Sequence, residues 1–89
     1  MLIMDWNLYS FVVRSERRKS IISSLDRPKT PTEIAKEIKV STPHVSRSMK
    51  DFSEKGLVRC LTPNAKVGRI YELTARGKDV RKMVGEGHP

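Results

Sequence analysis

The amino-acid sequence predicts an α+β domain that is mostly α, and three observations carry that reading. Residues 30–56, TPTEIAKEIKVSTPHVSRSMKDFSEKG, read as two short helices around a tight turn. Two β-rich segments, LVRCL and RIYEL, follow with turn formers between them, and helical apolar stripes stand on either side. A chain of 89 residues allows a single domain with a modest core.

The N-terminal run, MLIMDWNLYSFVV, gathers Leu2, Ile3, Met4, Trp6, Leu8, Tyr9, Phe11, Val12 and Val13. That is more apolar surface than one helix buries on a single face of a small domain, and Trp6 and Tyr9 are typical interface anchors. We therefore read residues 1–13 as an apolar arm or helix that makes a dimer contact; the alternative is a monomer whose arm completes its own core. Whether residues 5–13 run on into the next helix or form a separate one stays open. That next helix starts after Ser15 and carries Ile21, Ile22 and Leu25 as its apolar stripe, with Glu16 placed well in the first turn. Asp26, Arg27 and Pro28 then make a turn.

Thr30 and Glu33 form a capping box in sequence, with Pro31 in the first helical position. Ile34 and Ile38 give the short helix an inner face, and Ala35 lets a second helix approach closely. Val40 points inward from the turn. Ser41 or Thr42 caps the second helix, in which Val45, Met49 and Phe52 make an i, i+4, i+7 stripe and leave Pro43, Ser46, Arg47 and Lys50 on or near the opposite side. Gly56 suits the left-handed position after a helix. LVRCL and RIYEL then form a β-hairpin whose connection, with Pro63, Asn64 and Gly68, is too long for a two-residue turn and projects Lys66 into solvent, Arg69 standing at the base of the return strand. Thr74 caps a last helix that packs Val80, Met83 and Val84 inward, and residues 85–89 read as a frayed tail.

Eighteen Lys and Arg against ten Asp and Glu give a formal charge of +8, which attracts phosphate polyanions at long range. Charge alone does not name the partner. The N-terminal run is broken by Asp5 and Asn7 and lacks the leading basic residues of an export signal, and no apolar run is long enough to span a bilayer, so a cytoplasmic protein with no membrane partner is expected. A single cysteine excludes an intrachain disulfide; we read Cys60 as a small buried strand residue, and His44 and His88 are too few to suggest a metal site with it. No cofactor is indicated. No Gly-rich phosphate loop, catalytic carboxylate pair or nucleophile–base set is evident, so an enzyme is not expected.

Helix, helix-turn-helix and hairpin in that order make a winged helix-turn-helix with a two-stranded wing. From Arg14 to about Val84 the chain resembles the small prokaryotic, especially archaeal, winged-helix transcriptional regulators related to the MarR and ArsR groups, most firmly in TEIAKEIKVSTPHVSRSMKDFSEKGLV and GRIYELTARGKDV. The resemblance implies that Ser41 to Lys55 is the recognition helix and that TPNAKVGR is the wing; LTARGKDV resembles the LT-x-x-G stretch that usually follows it. Lys39 departs from the glycine many relatives place in the turn, at a cost of roughly 1 kcal/mol for a left-handed lysine. No long C-terminal helix or added ligand domain is present, so a small-molecule effector is not indicated.

The function expected on these grounds is sequence-specific binding of double-stranded DNA by a homodimeric transcriptional regulator; the alternative is a winged-helix protein-interaction module in a macromolecular assembly. For the first, Arg47 is the leading base reader, since a guanidinium bonds guanine O6 and N7 together. Its alternative is a phosphate or a neighbouring acid. Thr42, Pro43, His44 and Ser46 stand at the helix start, where hydroxyls reach bases or phosphates and the Pro43 ring reaches a thymine methyl, unless Ser41 and Thr42 are spent on capping. Lys50 is expected on phosphate, and Lys66 and Arg69 at the adjacent minor groove, with pairing of Arg69 to Glu72 as the competing reading. Arg17, Arg18 and Lys19 form a charge run that is either a solvated face or a clamp on the phosphate backbone.

Overall fold

A computed structural model describes residues 6–85. Its elements follow the order α1 (Trp6–Val13), α2 (Glu16–Ser24), α3 (Pro31–Ile38), α4 (Thr42–Glu54), β1 (Val58–Cys60), β2 (Tyr71–Leu73) and α5 (Ala75–Gly85). The N-terminal question resolves into a separate helix: Ser15 takes an extended conformation at φ −131° and accepts from the Arg18 N–H, starting α2 afresh. Leu2, Ile3 and Met4 lie outside the described residues, as do residues 86–89. Gly85 closes α5, so the tail expected from residue 85 starts one residue later at the earliest.

The helix-turn-helix is built as its local chemistry dictates. The Thr30 N–H donates to Glu33 Oε1 at 2.9 Å and the Glu33 N–H to Thr30 Oγ1 at 3.2 Å. The first of these bonds holds the Glu33 carboxyl below its ordinary pKa. Lys39 ends α3 at φ 60°, the left-handed value, and Val40 N–H returns to Ala35 O. Ser41 occupies the N-cap of α4 without a side-chain bond to it. At the other end Leu57 N–H bonds Phe52 O and Gly56 N–H bonds Ser53 O, with Gly56 at φ 77°, a Schellman closure that reverses the chain into β1.

α4 presents Val45, Met49 and Phe52, all fully buried, to Ile34 and Ala35 of α3, Ile21, Ile22 and Leu25 of the preceding segment, Leu57 and Val80. α1 joins this core through Leu8 and Val12 and lies against α2 and α5. Its Phe11 ring meets Phe52 edge-on at 6.1 Å, so the first helix touches the fourth directly. β1 and β2 are antiparallel with Val58 opposite Leu73, Arg59 opposite Glu72 and Cys60 opposite Tyr71. An isolated antiparallel bridge from Lys29 to Tyr71 ties the turn before α3 to β2.

Lys29 is buried, which its sequence neighbourhood announces only through the i, i+3 spacing from Asp26. Its Nζ donates to Ser24 O at 2.5 Å, where α2 ends, and lies 2.9 Å from both Asp26 and Glu37. A cation there meets the negative end of the helix dipole and ties α2, the turn and α3 together. Burial pulls the Lys29 pKa down, but the bonds and charges of Glu37 and Asp26 outweigh it and leave the ammonium above its ordinary value. The same bond holds Asp26 below the usual carboxylate value.

Candidate nucleic-acid interface

The outward side of α4 and the wing bound one groove of about 650 Å³. Thr42, Ser46, Lys50 and Ser53 line it from the helix, Lys66, Val67, Gly68 and Arg69 from the wing, with Pro31, Thr32, Cys60 and Tyr71 completing its wall and floor. None of these lining residues is acidic, and three are cations. The structure therefore brings together Thr42, Ser46, Lys50, Lys66 and Arg69 of the expected site. Pro43, His44 and Arg47 are exposed on α4 beside the groove rather than within it. Ser41 is exposed too, and its hydroxyl is not spent on capping.

The loop of the wing has its own scaffold. Leu61 N–H bonds Ile70 O at 2.7 Å, Ile70 N–H bonds Thr62 Oγ1 at 3.0 Å, and Ala65 N–H bonds Thr62 O at 3.0 Å. Arg69 donates Nε to Ala65 O at 2.7 Å, which braces the tip and leaves the two terminal nitrogens of its guanidinium to other partners. The expected competitor for Arg69, Glu72, is instead taken by Arg59, whose Nε lies 2.6 Å from the carboxylate. The strand register explains this correction, because Arg59 stands directly opposite Glu72. Gly68 adopts φ 69° with open space around it, the backbone freedom expected of the wing. Cys60 is half-buried rather than buried, because it ends β1 where the strand opens into the groove.

The charge run on α2 divides. Arg18 donates to Phe11 O at 2.8 Å and stacks on the Phe11 ring at 3.9 Å, and Lys19 pairs with Glu16, so both are structural. Arg17 alone reaches α4, at His44. This contact, the groove position of Thr32, Ser53 and Cys60, and the role of Lys29 went unnoticed in the sequence; the i, i+3 spacing of Asp26 and Lys29 was the one available hint. Among the described residues no group of His, Cys, Asp and Glu side chains could hold a metal ion, and no helix is long and apolar enough to cross a membrane.

Fold and groove define the class: a small winged helix-turn-helix domain. The chain belongs to the arsR family of bacterial regulatory proteins, whose family model matches residues 15–59. Its fold is similar to that of wild-type MarR from E. coli, at 24% identity over 90% of this chain and 62% of that one, TM-score 0.72. A mutant of the same E. coli protein complexed with operator DNA is 22% identical over the same shares of the two chains, TM-score 0.70. A mutant of Lactococcus lactis ZitR is 22% identical over 81% of this chain and 51% of that one, also at TM-score 0.70. The chain thus spans between half and two thirds of the length of these proteins. No curated protein sequence matches it.

Proposed function

We propose that this protein binds double-stranded DNA sequence-specifically as a cytoplasmic homodimer, with α4 in the major groove and the wing at the adjacent minor groove. The observation that carries the reading is the acid-free groove, whose two banks are the helix and hairpin that a duplex would have to engage together. The MarR mutant bound to operator DNA supports it by fold. In this arrangement Arg47 and His44, with Pro43 and Ser46, meet base edges; Ser41, Thr42 and Lys50 position the helix on phosphates; and Lys66 and Arg69 serve the minor groove. Residues 1–89 act as one domain. Dimerisation rests on α1, where Trp6 is 60% exposed and packs edge-on at 6.0 Å against Tyr9, which is buried in its own chain and so leaves Trp6 as the aromatic side chain suited to a second copy.

The test is selection of genomic duplex fragments by the purified protein, followed by titration at several salt concentrations. An enriched palindrome with half-sites about one turn, roughly 34 Å, apart supports the reading. Salt-dependent binding with no enriched motif would replace specific regulation with architectural binding, and no binding at all would favour the protein-interaction module.

A further inference from the structure

The first turns of α2 and α4 meet through one polar contact, in which Nη1 of Arg17 lies 3.3 Å from Nδ1 of His44. A guanidinium only donates, so this is a hydrogen bond only when Nδ1 carries a lone pair. The ring must then be neutral with its proton on Nε2, since either ring nitrogen's state is set by the bond the other one makes. Arg17 is exposed, and among the described residues it pairs with no carboxylate, whereas its neighbours Arg18 and Lys19 are held by Phe11 and Glu16. His44 is exposed in the first turn of α4, three residues before Arg47 and so on the same side of the helix.

We propose that Arg17 is a positioning residue for DNA reading: it holds His44 in the tautomer whose outer nitrogen, Nε2, is a hydrogen-bond donor. This rests on the DNA-binding reading of α4 and deepens it. A donor at that place matches guanine O6 and N7, adenine N7, thymine O4 or a phosphate oxygen; the other tautomer would present a lone pair, which matches the amino groups of cytosine and adenine. A side chain on a neighbouring helix, with no need to touch a base, thereby decides which class of base edge His44 accepts.

Two measurements on the full chain test this. In the free protein at mildly alkaline pH, nitrogen-resolved NMR of the imidazole should show a protonated Nε2 and a bare Nδ1 at His44, and Arg17→Ala should shift the ring toward a mixture; an unchanged tautomer in that variant overturns the proposal. With the duplex enriched by selection, His44→Ala should weaken binding about threefold to tenfold, the range of a single hydrogen bond, and Arg17→Ala about twofold, the cost of spreading the ring over two tautomers. They should relax the same base position, and the double variant should be no weaker than His44→Ala. Losses that multiply would mean that Arg17 acts on DNA by itself, which sinks the proposal while leaving the DNA-binding reading intact. If the unaltered protein binds no duplex and Arg47→Ala changes nothing, the underlying reading falls and takes the proposal with it.

Discussion

Replacing Lys29 tests how the helix-turn-helix is held on the rest of the domain. The Lys29→Ala variant removes three buried methylenes, worth about 0.8 kcal/mol each, or about 2.4 kcal/mol. It also strips Ser24 O of its donor, which adds about 1 kcal/mol for a partly buried carbonyl. Asp26 and Glu37 add little, because their side chains are 60% and 44% exposed and recover water when the ammonium leaves. The expected loss is thus about 3 kcal/mol, a large share of the stability of a domain this size. Lys29→Met keeps most of the stem and should lose only about 1 kcal/mol, isolating the polar part. Urea unfolding followed by circular dichroism gives both values from the shift in midpoint at constant slope. A loss below about 1 kcal/mol in Lys29→Ala would refute the claim that the stem is a core element, and equal losses in both variants would show that the ion network, not the stem, dominates.

Gly77→Ala places a Cβ 2.0 Å from Leu57 O and 3.0 Å from Leu73 Cδ2, so it should destabilise by about 2 kcal/mol or more in urea; a wild-type midpoint would contradict the close approach of α5. Asp26 and Glu33 are held below their ordinary values of 3.8 and 4.5, so the unfolded chain binds more protons and the stabilisation is present above those values and fades as pH falls through the lower folded ones. The urea midpoint should therefore drop below about pH 4, and a double Asp26→Asn, Glu33→Gln variant should show a shallower drop; an identical acid limb would assign it to other carboxylates. Arg47→Ala should weaken binding to the enriched motif by roughly 1–3 kcal/mol and to unrelated duplex by much less; equal losses would reject base readout. Trp6→Glu should halve the mass measured by light scattering, and an unchanged mass would remove Trp6 from the dimer contact.

Several short-range devices announced themselves in the sequence, though the Asp26–Lys29 pair went unread and Ser41 makes no side-chain cap on α4. The capping box of Thr30 and Glu33, the left-handed Lys39, the Gly56 closure and the start of α5 after Thr74 are all short-range devices, and each stands where its residues place it. Failures came from contacts closed by tertiary structure. Lys29 drew no reading in the sequence because Glu37, eight residues on along the next helix, comes within 2.9 Å only in the fold. Pairing of Arg69 with Glu72 stood as a competing reading because the long connection hid the register that gives Glu72 to Arg59. RIYEL contributes only its last three residues to the ladder, since Ile70 spends its N–H on Thr62 Oγ1. For the candidate interface, residue types and helical spacing predicted the outward row of α4, but the groove's wall and floor, from Thr32 to Cys60 and Tyr71, exist only once the hairpin folds back toward α3 and α4.

The end of α4, the start of the hairpin and the start of α5 converge on two carbonyls. Thr74 Oγ1 donates to Gly56 O at 2.6 Å, the Thr74 N–H donates to Leu57 O at 3.0 Å, and Gly77 leaves no gap above that same oxygen. Three elements are thus tied at one point: the end of α4, the start of the hairpin and the start of α5 share the carbonyls of Gly56 and Leu57, so a substitution that loosens either bond reaches all three at once.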